Sequence, residues 1–439
     1  MCISLISKEE ETLVFGVDCW KLLEYDRVLS LEIGDRFLGT SGDRKSIEYV
    51  TKQFKSCGLD VSQDPVETLT FDYRGSTLSV GPPVSRNVDC KAAYYSKPTP
   101  PSGLEGELAY VGGATEKEMA SVDLRGKIAV ATATAGDPMF WIGFHIARAA
   151  KMGAVALLIC HTSPVAFTPS ASFGLWDHTG GWRKGYPALE DQVPCITIGC
   201  HEAMPLLYQM GRGKVRAHLT VDCTTEPRKG SNIRGLLHGT EKPEEHVVIL
   251  AHRDDGACSG ANDNGTGSAA VLELARVFGE SRRTRRTVEF LSTTSEEGIT
   301  DGIFQYMANR RAAGELDNIV AALDMDMIGV GGPPRIIDGG QWSDEPSVPH
   351  NKKLNDFVEA CGKEIGVMFG HLFASWGTPE EGPLNANGVP ATCIWKPDDP
   401  NYHSLSEHID NIDWNAVRAT AQAVGLAAWR IAQSDMTFR

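Results

Sequence analysis

The sequence predicts an α/β protein with a ligand site at the carboxyl ends of its strands, and three observations carry that reading. From Asn232 onward, short apolar runs of β character alternate with stretches of helical period. The acids and imidazoles of interest stand just past those runs: His252 and Asp254 after 247–251, Glu296 and Glu297 after 287–291, and Asp326 at the end of 319–327. Between the first run and the helix that follows lies a glycine-led turn, Gly260-Ala261-Asn262-Asp263-Asn264. In an open α/β sheet, the crevice outside the carboxyl ends of the strands is where ligands bind.

Taken in order, residues 1–100 form a lead-in. Ile47, Val50, Phe54 and Cys57 recur at helical spacing, and Gly58 stands where a left-handed cap ends a helix. The alternating stretch 66–80 predicts a hairpin, and composition shifts at Gly81-Pro82-Pro83 and again over 98–103. Residues 101–225 form an inserted part. It has strands at 126–132 and 153–159, a helix at 139–152, and a long glycine- and aromatic-rich loop at 172–182. Trp176 and Trp182 in that loop are expected either to line a substrate cleft or to pack the loop onto its own domain.

Residues 226–439 form the main part. It has strands at 247–251, 287–291, 319–327 and 391–396. A helix at 266–279 carries Val271, Leu274, Ala275 and Phe278 on one face, with Gly279 as its stop. A last helix starts after Asp413, a good N-cap, and buries Val417, Ala421, Val424, Ala428 and Ile431.

A chain of 439 residues is too long for one ordinary core. The net charge of −15 excludes a nucleic-acid partner, which requires a basic face. The local basic run Arg282-Arg283-Thr284-Arg285-Arg286 is expected to be a solvated turn before the next strand. No run of 18 apolar residues occurs, so no membrane partner is expected. The N-terminus lacks a basic segment followed by an apolar core. The eleven cysteines contain no Cys-x-x-Cys pair. Together these predict a cytoplasmic protein with reduced, mostly buried thiols.

Five residues form a mixed nitrogen and oxygen donor set: His252, Asp263, Glu297, Asp326 and His403. Zinc accepts such a set, and it suffices for two ions if one carboxylate bridges them. Two metals about 3.5–4 Å apart acidify a shared water and polarise a carbonyl. Glu296, beside Glu297, is placed to take the water's proton and pass it to a leaving amine. Asp254, two residues after His252, is placed to orient that imidazole. Singly, each has a plain explanation as a core histidine, a solvated turn or a helix cap; it is their coincidence that carries weight. With base and donors assigned, Cys258 reads as a loop residue.

The chain resembles the M28 family of metallo-aminopeptidases, in the branch carrying a protease-associated (PA) domain, and the likeness runs along the whole chain. The family's His-x-Asp and Gly-Ala-Asn-Asp-Asn motifs stand here as His252-Arg253-Asp254 and Gly260 to Asn264. Its Glu-Glu motif stands as Glu296-Glu297, followed by Gly302-Ile303-Phe304-Gln305-Tyr306. Its Asp-Met-Ile-Gly stands as Asp326 to Gly329, and its closing Tyr-His pattern as Tyr402-His403-Ser404-Leu405-Ser406-Glu407.

The resemblance implies an α/β/α sandwich around a mixed, mostly parallel sheet, with an inserted β-rich PA-like domain leaning over the cleft. It implies that Asp263 bridges two Zn²⁺ ions, with cobalt or manganese also tolerated. His252 and Asp326 would complete one site, Glu297 and His403 the other, and Glu296 would be the general base and acid. The chain departs from the family at Pro379-Glu380-Glu381-Gly382-Pro383-Leu384, where Ser-Asp-His-x-Pro-Phe is usual, and at Glu407, where Asp is usual. Glu380 and Glu381 would lie in a pocket-lining loop and are expected to bind a substrate amine or basic side chain.

The expected activity is cleavage of an amide bond, with an N-terminal residue released from a short peptide. The alternative is the same site acting as a carboxypeptidase, or as an amidase on a small acylated amino acid or other small amide. Acidic groups near the site favour an ammonium end over a carboxylate. A metal-free binding protein is disfavoured because all five donors survive with Glu296. The inserted part is expected to serve specificity or homodimerisation.

Overall fold

The computed structural model describes residues 6–132, 142–161, 165–166, 192–256, 258–340, 348–374 and 379–439. The lead-in contributes helices α1 (Lys8–Gly16), α2 (Cys19–Arg27) and α3 (Ser41–Ser56). Thr40 caps α3, and Gly58 follows it with φ +76°. Next comes β1 (Asp60–Gly81), one strand of 22 residues. The hairpin expected at 66–80 is therefore not formed. Alternation suits either arrangement, and here the stretch pairs along its length with a distant strand instead, skipping only Arg74 at a bulge.

That partner is β8. Between them lie β2 (Arg86–Val88), β3 (Lys91–Ala92), β4 (Leu104–Tyr110), α4 (Glu116–Ala120), β5 (Ile128–Thr132), α5 (Ile142–Lys151), β6 (Ala156–Cys160), β7 (Cys195–Ile198) and α6 (Cys200–Arg212). β8 (Arg216–Leu237) then runs antiparallel to β1 from Asp60↔Leu236 to Gly81↔Arg216. One end of this ribbon pairs with β4 and so joins a sheet ordered β4-β5-β6-β7-β3. Its other end, Ile233–Leu237, pairs with β10 of the main sheet. The position 225/226 thus falls inside a continuous strand.

The main part continues with β9 (Lys242–His252), α7 (Gly267–Glu280), β10 (Arg286–Thr293), α8 (Glu296–Ile299), α9 (Asp301–Ala312), β11 (Ile319–Asp326), β12 (Arg335–Gly340), β13 (Val348–Pro349), α10 (Lys352–Glu364), β14 (Gly370–Ala374), α11 (Glu381–Ala386), β15 (Ala391–Trp395) and α12 (Trp414–Ala432). The sheet order is β13-β12-β15-β11-β9-β10-β8, and the central pairs β15-β11, β11-β9 and β9-β10 are parallel.

Alternation along β9 shows why helices cover both faces. Val247, Ile249 and Ala251 pack into a core with α7 and α12, whereas Val248 and Leu250 face Ile303, Tyr306, Met307 and Leu384 of α9 and α11. Asp413 caps α12 by accepting from the amides of Asn415 and Ala416. The result is an α/β/α sandwich around a mixed, mostly parallel sheet.

The basic run divides. Arg282 and Arg285 make exposed ion pairs with Glu9, Glu241 and Asp435. Arg286, by contrast, is buried, pairs with Glu245 and donates to the carbonyls of Ile431 and Met436. Among the described residues the cysteines are unbridged, and no helix is long and apolar enough to cross a membrane.

Candidate metal centre

Parallel strands end at one edge of the sheet, and this alone gathers residues far apart in sequence. His252 is the last residue of β9 and Asp326 the last of β11; Glu296 and Glu297 open α8 just after β10. Asp263 sits in the turn Ala261–Thr266, where its φ/ψ of −110°/96° depart from helical values and its peptide bond to Asn264 is cis. His403 lies in the loop after β15. Four of the non-glycine residues with positive φ fall on the same rim: Ser295 (62°), Thr300 (58°), Met327 (48°) and His403 (54°).

Two overlapping triads result. His252 Nε2 lies 3.3 Å from Asp263 Oδ1 and 3.5 Å from Asp326 Oδ1. His403 Nε2 lies 3.1 Å from Asp263 Oδ2 and 2.9 Å from Glu297 Oε2. The two oxygens of Asp263 therefore face different imidazoles, as a bridging carboxylate requires. His252 Nε2, Asp326 Oδ1 and Glu297 Oε1 are buried without a hydrogen-bond partner, and an ion in each triad would satisfy them. Glu296 Oε2 stands 4.0 Å from His252 Nε2, and its side chain keeps 17% exposure toward solvent.

The electrostatics fit the same reading. Burial opposes a proton on His252 and His403, yet the surrounding carboxylates outweigh it and hold both imidazoles well above their ordinary range. Burial pushes Glu296 far up and Glu297 to about 8, with neighbouring acids adding to both. Burial would raise Asp263 as well, but its two histidine neighbours hold it well below. A field that retains protons on these imidazoles also favours cations, which displace those protons on binding.

The loops are held by side chains that the motifs do not all announce. Asp254 accepts from the amides of Glu296 (3.1 Å) and Glu297 (3.2 Å), so it caps α8. Its backbone carbonyl lies 3.2 Å from His252 Nδ1. Asn264 Oδ1 accepts from the amides of Gly267 and Met327, and Asn262 Oδ1 from that of Gly329, tying the Asp263 turn to the end of β11. Glu407 Oε1 accepts from the amides of Asn262 and Asp263, each at 2.9 Å, and Oε2 from that of His403 at 3.3 Å.

His403 is also packed between two rings, Tyr402 at 3.7 Å and Tyr94 at 5.4 Å between centroids. Tyr94 donates to the carbonyl of Gly256, and Lys91 Nζ lies 3.4 Å from the carbonyl of His403. Tyr94 and Lys91 come from the lead-in, far from every motif. The only sequence sign of them is polar groups within the run Lys91-Ala92-Ala93-Tyr94-Tyr95.

One expectation changes. Glu380 and Glu381 do not line an open pocket. Glu381 begins α11, the two are 1% and 0% exposed, and Glu380 accepts from Thr293 Oγ1 at 2.7 Å. They lie behind Asp326 with Asp324; burial raises the carboxyls of Glu380, to about 7, and Glu381. Adjacent acids flanked by proline and glycine looked like a loop, and sequence gave no sign of the strand ends that enclose them. Cys258 is a buried loop residue, with Sγ 2.9 Å from Asp255 Oδ1. Trp176 and Trp182 lie outside the described residues.

Comparison with known proteins adds three findings. Residues 232–428 match peptidase family M28. Among curated relatives, aminopeptidase YwaD of Bacillus subtilis is 28% identical over 420 residues, covering 93% of this chain and 83% of its own. Carboxypeptidase Q of Homo sapiens is 26% identical over 294 residues, covering 64% and 60%. Among solved structures, a peptidase M28 precursor from Shewanella amazonensis aligns over 98% of this chain and 97% of its own, with TM-score 0.78 and 21% identity. A zinc aminopeptidase from Bacillus subtilis aligns over 96% and 97%, with TM-score 0.72 and 21% identity.

Proposed function

We propose, from the match of residues 232–428 to peptidase family M28, that this chain is a member of that family and a dizinc aminopeptidase acting on short peptides. The observation that carries this reading is Asp263, whose two carboxylate oxygens face His252 and His403 in separate buried triads. His252 and Asp326 would hold one zinc with Asp263, and Glu297 and His403 the other. When bound, zinc would acidify a water and polarise the scissile carbonyl.

The protein groups then have separate tasks. Glu296, not needed as a donor and partly open to solvent, takes the water's proton and delivers it to the departing amine. Asp254 fixes Glu296 and Glu297 through their amides. Tyr94 and Tyr402 hold the His403 ring. The acids that crowd the rim favour a substrate ammonium group on Coulombic grounds. Residues 101–225 serve as an inserted PA-like unit beside this part.

The named relatives include both aminopeptidases and carboxypeptidase Q, so amino-end and carboxyl-end specificity must be separated directly. The test is a matched panel of free-amine aminoacyl anilides, their N-acetylated counterparts, and peptides with free or amidated C-termini. Cleavage is expected only where the amine is free, and a chelator should abolish it. Cleavage confined to N-acetylated substrates or to free carboxyl ends would overturn the aminopeptidase assignment while keeping the metal centre.

A further inference from the structure

We infer that Arg36 is a positioning residue of the metal centre: it shapes the backbone that sets His252 and Asp263 against each other. The inference rests on reading those two residues as zinc donors. Arg36 belongs to the lead-in, outside the stretch that matches the peptidase family, and is fully buried.

Its guanidinium is spent on carbonyl oxygens. Nε donates to Arg253 O at 2.7 Å. Nη1 donates to Ser259 O, Leu29 O and Gly34 O, and Nη2 to Gly260 O, all at 3.0 Å. Its own amide donates to Asp255 O at 3.0 Å. Four carbonyls between His252 and Asp263 are therefore satisfied by one residue. Gly260 makes the approach feasible: its φ is +59°, and a Cβ there would stand 2.6 Å from Arg36 Nη2.

Gly260 O keeps the Gly265 amide and Asp255 O the Arg36 amide, but Arg253 O and Ser259 O would lose the fork as partner; buried carbonyls left unpaired are costly, so the turn would rearrange. Glu407 grips the amides of Asn262 and Asp263 from the other side. The link between the two donors is thus held by its carbonyls at one end and its amides at the other. Lysine keeps the charge of arginine but offers three donors on a single nitrogen, too few and too close together to span these oxygens.

The experiment compares wild type, R36K and a control, R310K. The control perturbs another buried arginine, which pairs with Glu289 and Glu315. Zinc affinity is measured by chelator competition, and geometry by the visible spectrum of the Co²⁺-substituted proteins. R36K should bind zinc about 10–100-fold more weakly, show an altered Co²⁺ spectrum, and lose kcat with KM within about twofold. R310K should lower Tm while leaving the spectrum and zinc affinity unchanged.

An R36K protein with wild-type zinc affinity and spectrum, whatever its Tm, would overturn the inference. A wild-type protein that binds no zinc would remove the donor reading itself, so the two failures are distinguishable. Should R36K not fold, amide exchange in wild type decides. The amides of 253–256 and 258–263 should be as protected in the metal-free protein as in the zinc-loaded one. Protection appearing only with zinc would show that the metal, not Arg36, orders the link.

Discussion

Glu296 and Glu297 are neighbours in sequence with opposite surroundings. Glu297 is turned inward, with Oε2 2.9 Å from His403 Nε2, whereas Glu296 keeps one edge toward solvent. That difference suits the proposed roles, Glu297 as a metal donor and Glu296 as a proton carrier. Glu296→Gln keeps shape and removes the titrating oxygen, so it should lower kcat by about 10²–10⁴-fold at unchanged zinc content. Steady-state kinetics with elemental analysis check this, and a variant above a tenth of wild-type kcat would refute the assignment. At this scale the sequence was most legible, because each donor is tied to a short motif. Arg36, Lys91 and Tyr94 were not. They act on backbone atoms of distant segments, and nothing in the sequence reveals which carbonyl will come to lie beside them.

Among elements, α8 depends most on a single side chain. It is one turn long, too short to be stable alone, and both of its leading amides are taken by Asp254. Asp254→Asn leaves one carbonyl oxygen where two carboxylate oxygens stood. It should lower kcat about tenfold or more with a small loss of Tm, as kinetics and thermal melting together would reveal. A Tm loss with kcat intact would make Asp254 merely a cap. The motif showed an acid near His252 and suggested a contact with the imidazole; Asp254 Oδ1 does lie 3.6 Å from His252 Nδ1, and the same carboxylate also takes the amides of α8, which the motif did not announce. The 66–80 stretch failed as a hairpin for a related reason. Local alternation fixes strand character but not partner, and β8 lies more than a hundred residues away.

Across the whole molecule, buried titrating groups give the fold an acid-sensitive side. Desolvation holds His350 down at about 4, with its bond to the Ile337 carbonyl opposing only partly. The unfolded chain protonates it near pH 6.5. Its folded pKa lies below the unfolded one, so stability is full above about pH 6.5 and falls as pH drops toward 4. A shift of this size corresponds to roughly 3 kcal/mol at most. Glu289 acts in the same direction at lower pH. Burial would raise it, but His246, Arg310 and Arg234 hold it well below the carboxylate range. Its contribution is therefore present above the unfolded pKa of about 4.3 and declines below it. The raised acids and imidazoles of the metal centre act in the opposite sense, so the test is differential: in denaturant melts from pH 7 to 4, His350→Asn should gain stability relative to wild type as pH falls, and parallel curves would remove His350 as a cause. The α/β class was legible from alternation of strands and helices, and the sandwich was what the family resemblance implied. The long β1–β8 ribbon that joins both sheets was not, since pairing at that distance leaves no local trace.

The shared carboxylate is the point on which the rest turns, and counting bound zinc tests it most directly. Equilibrium titration of the metal-free protein should give two zinc ions per chain in wild type and fewer than one in Asp263→Asn, with chelator-sensitive hydrolysis lost alongside. Two ions still bound by Asp263→Asn, or a single ion in fully active wild type, would contradict the bridged centre.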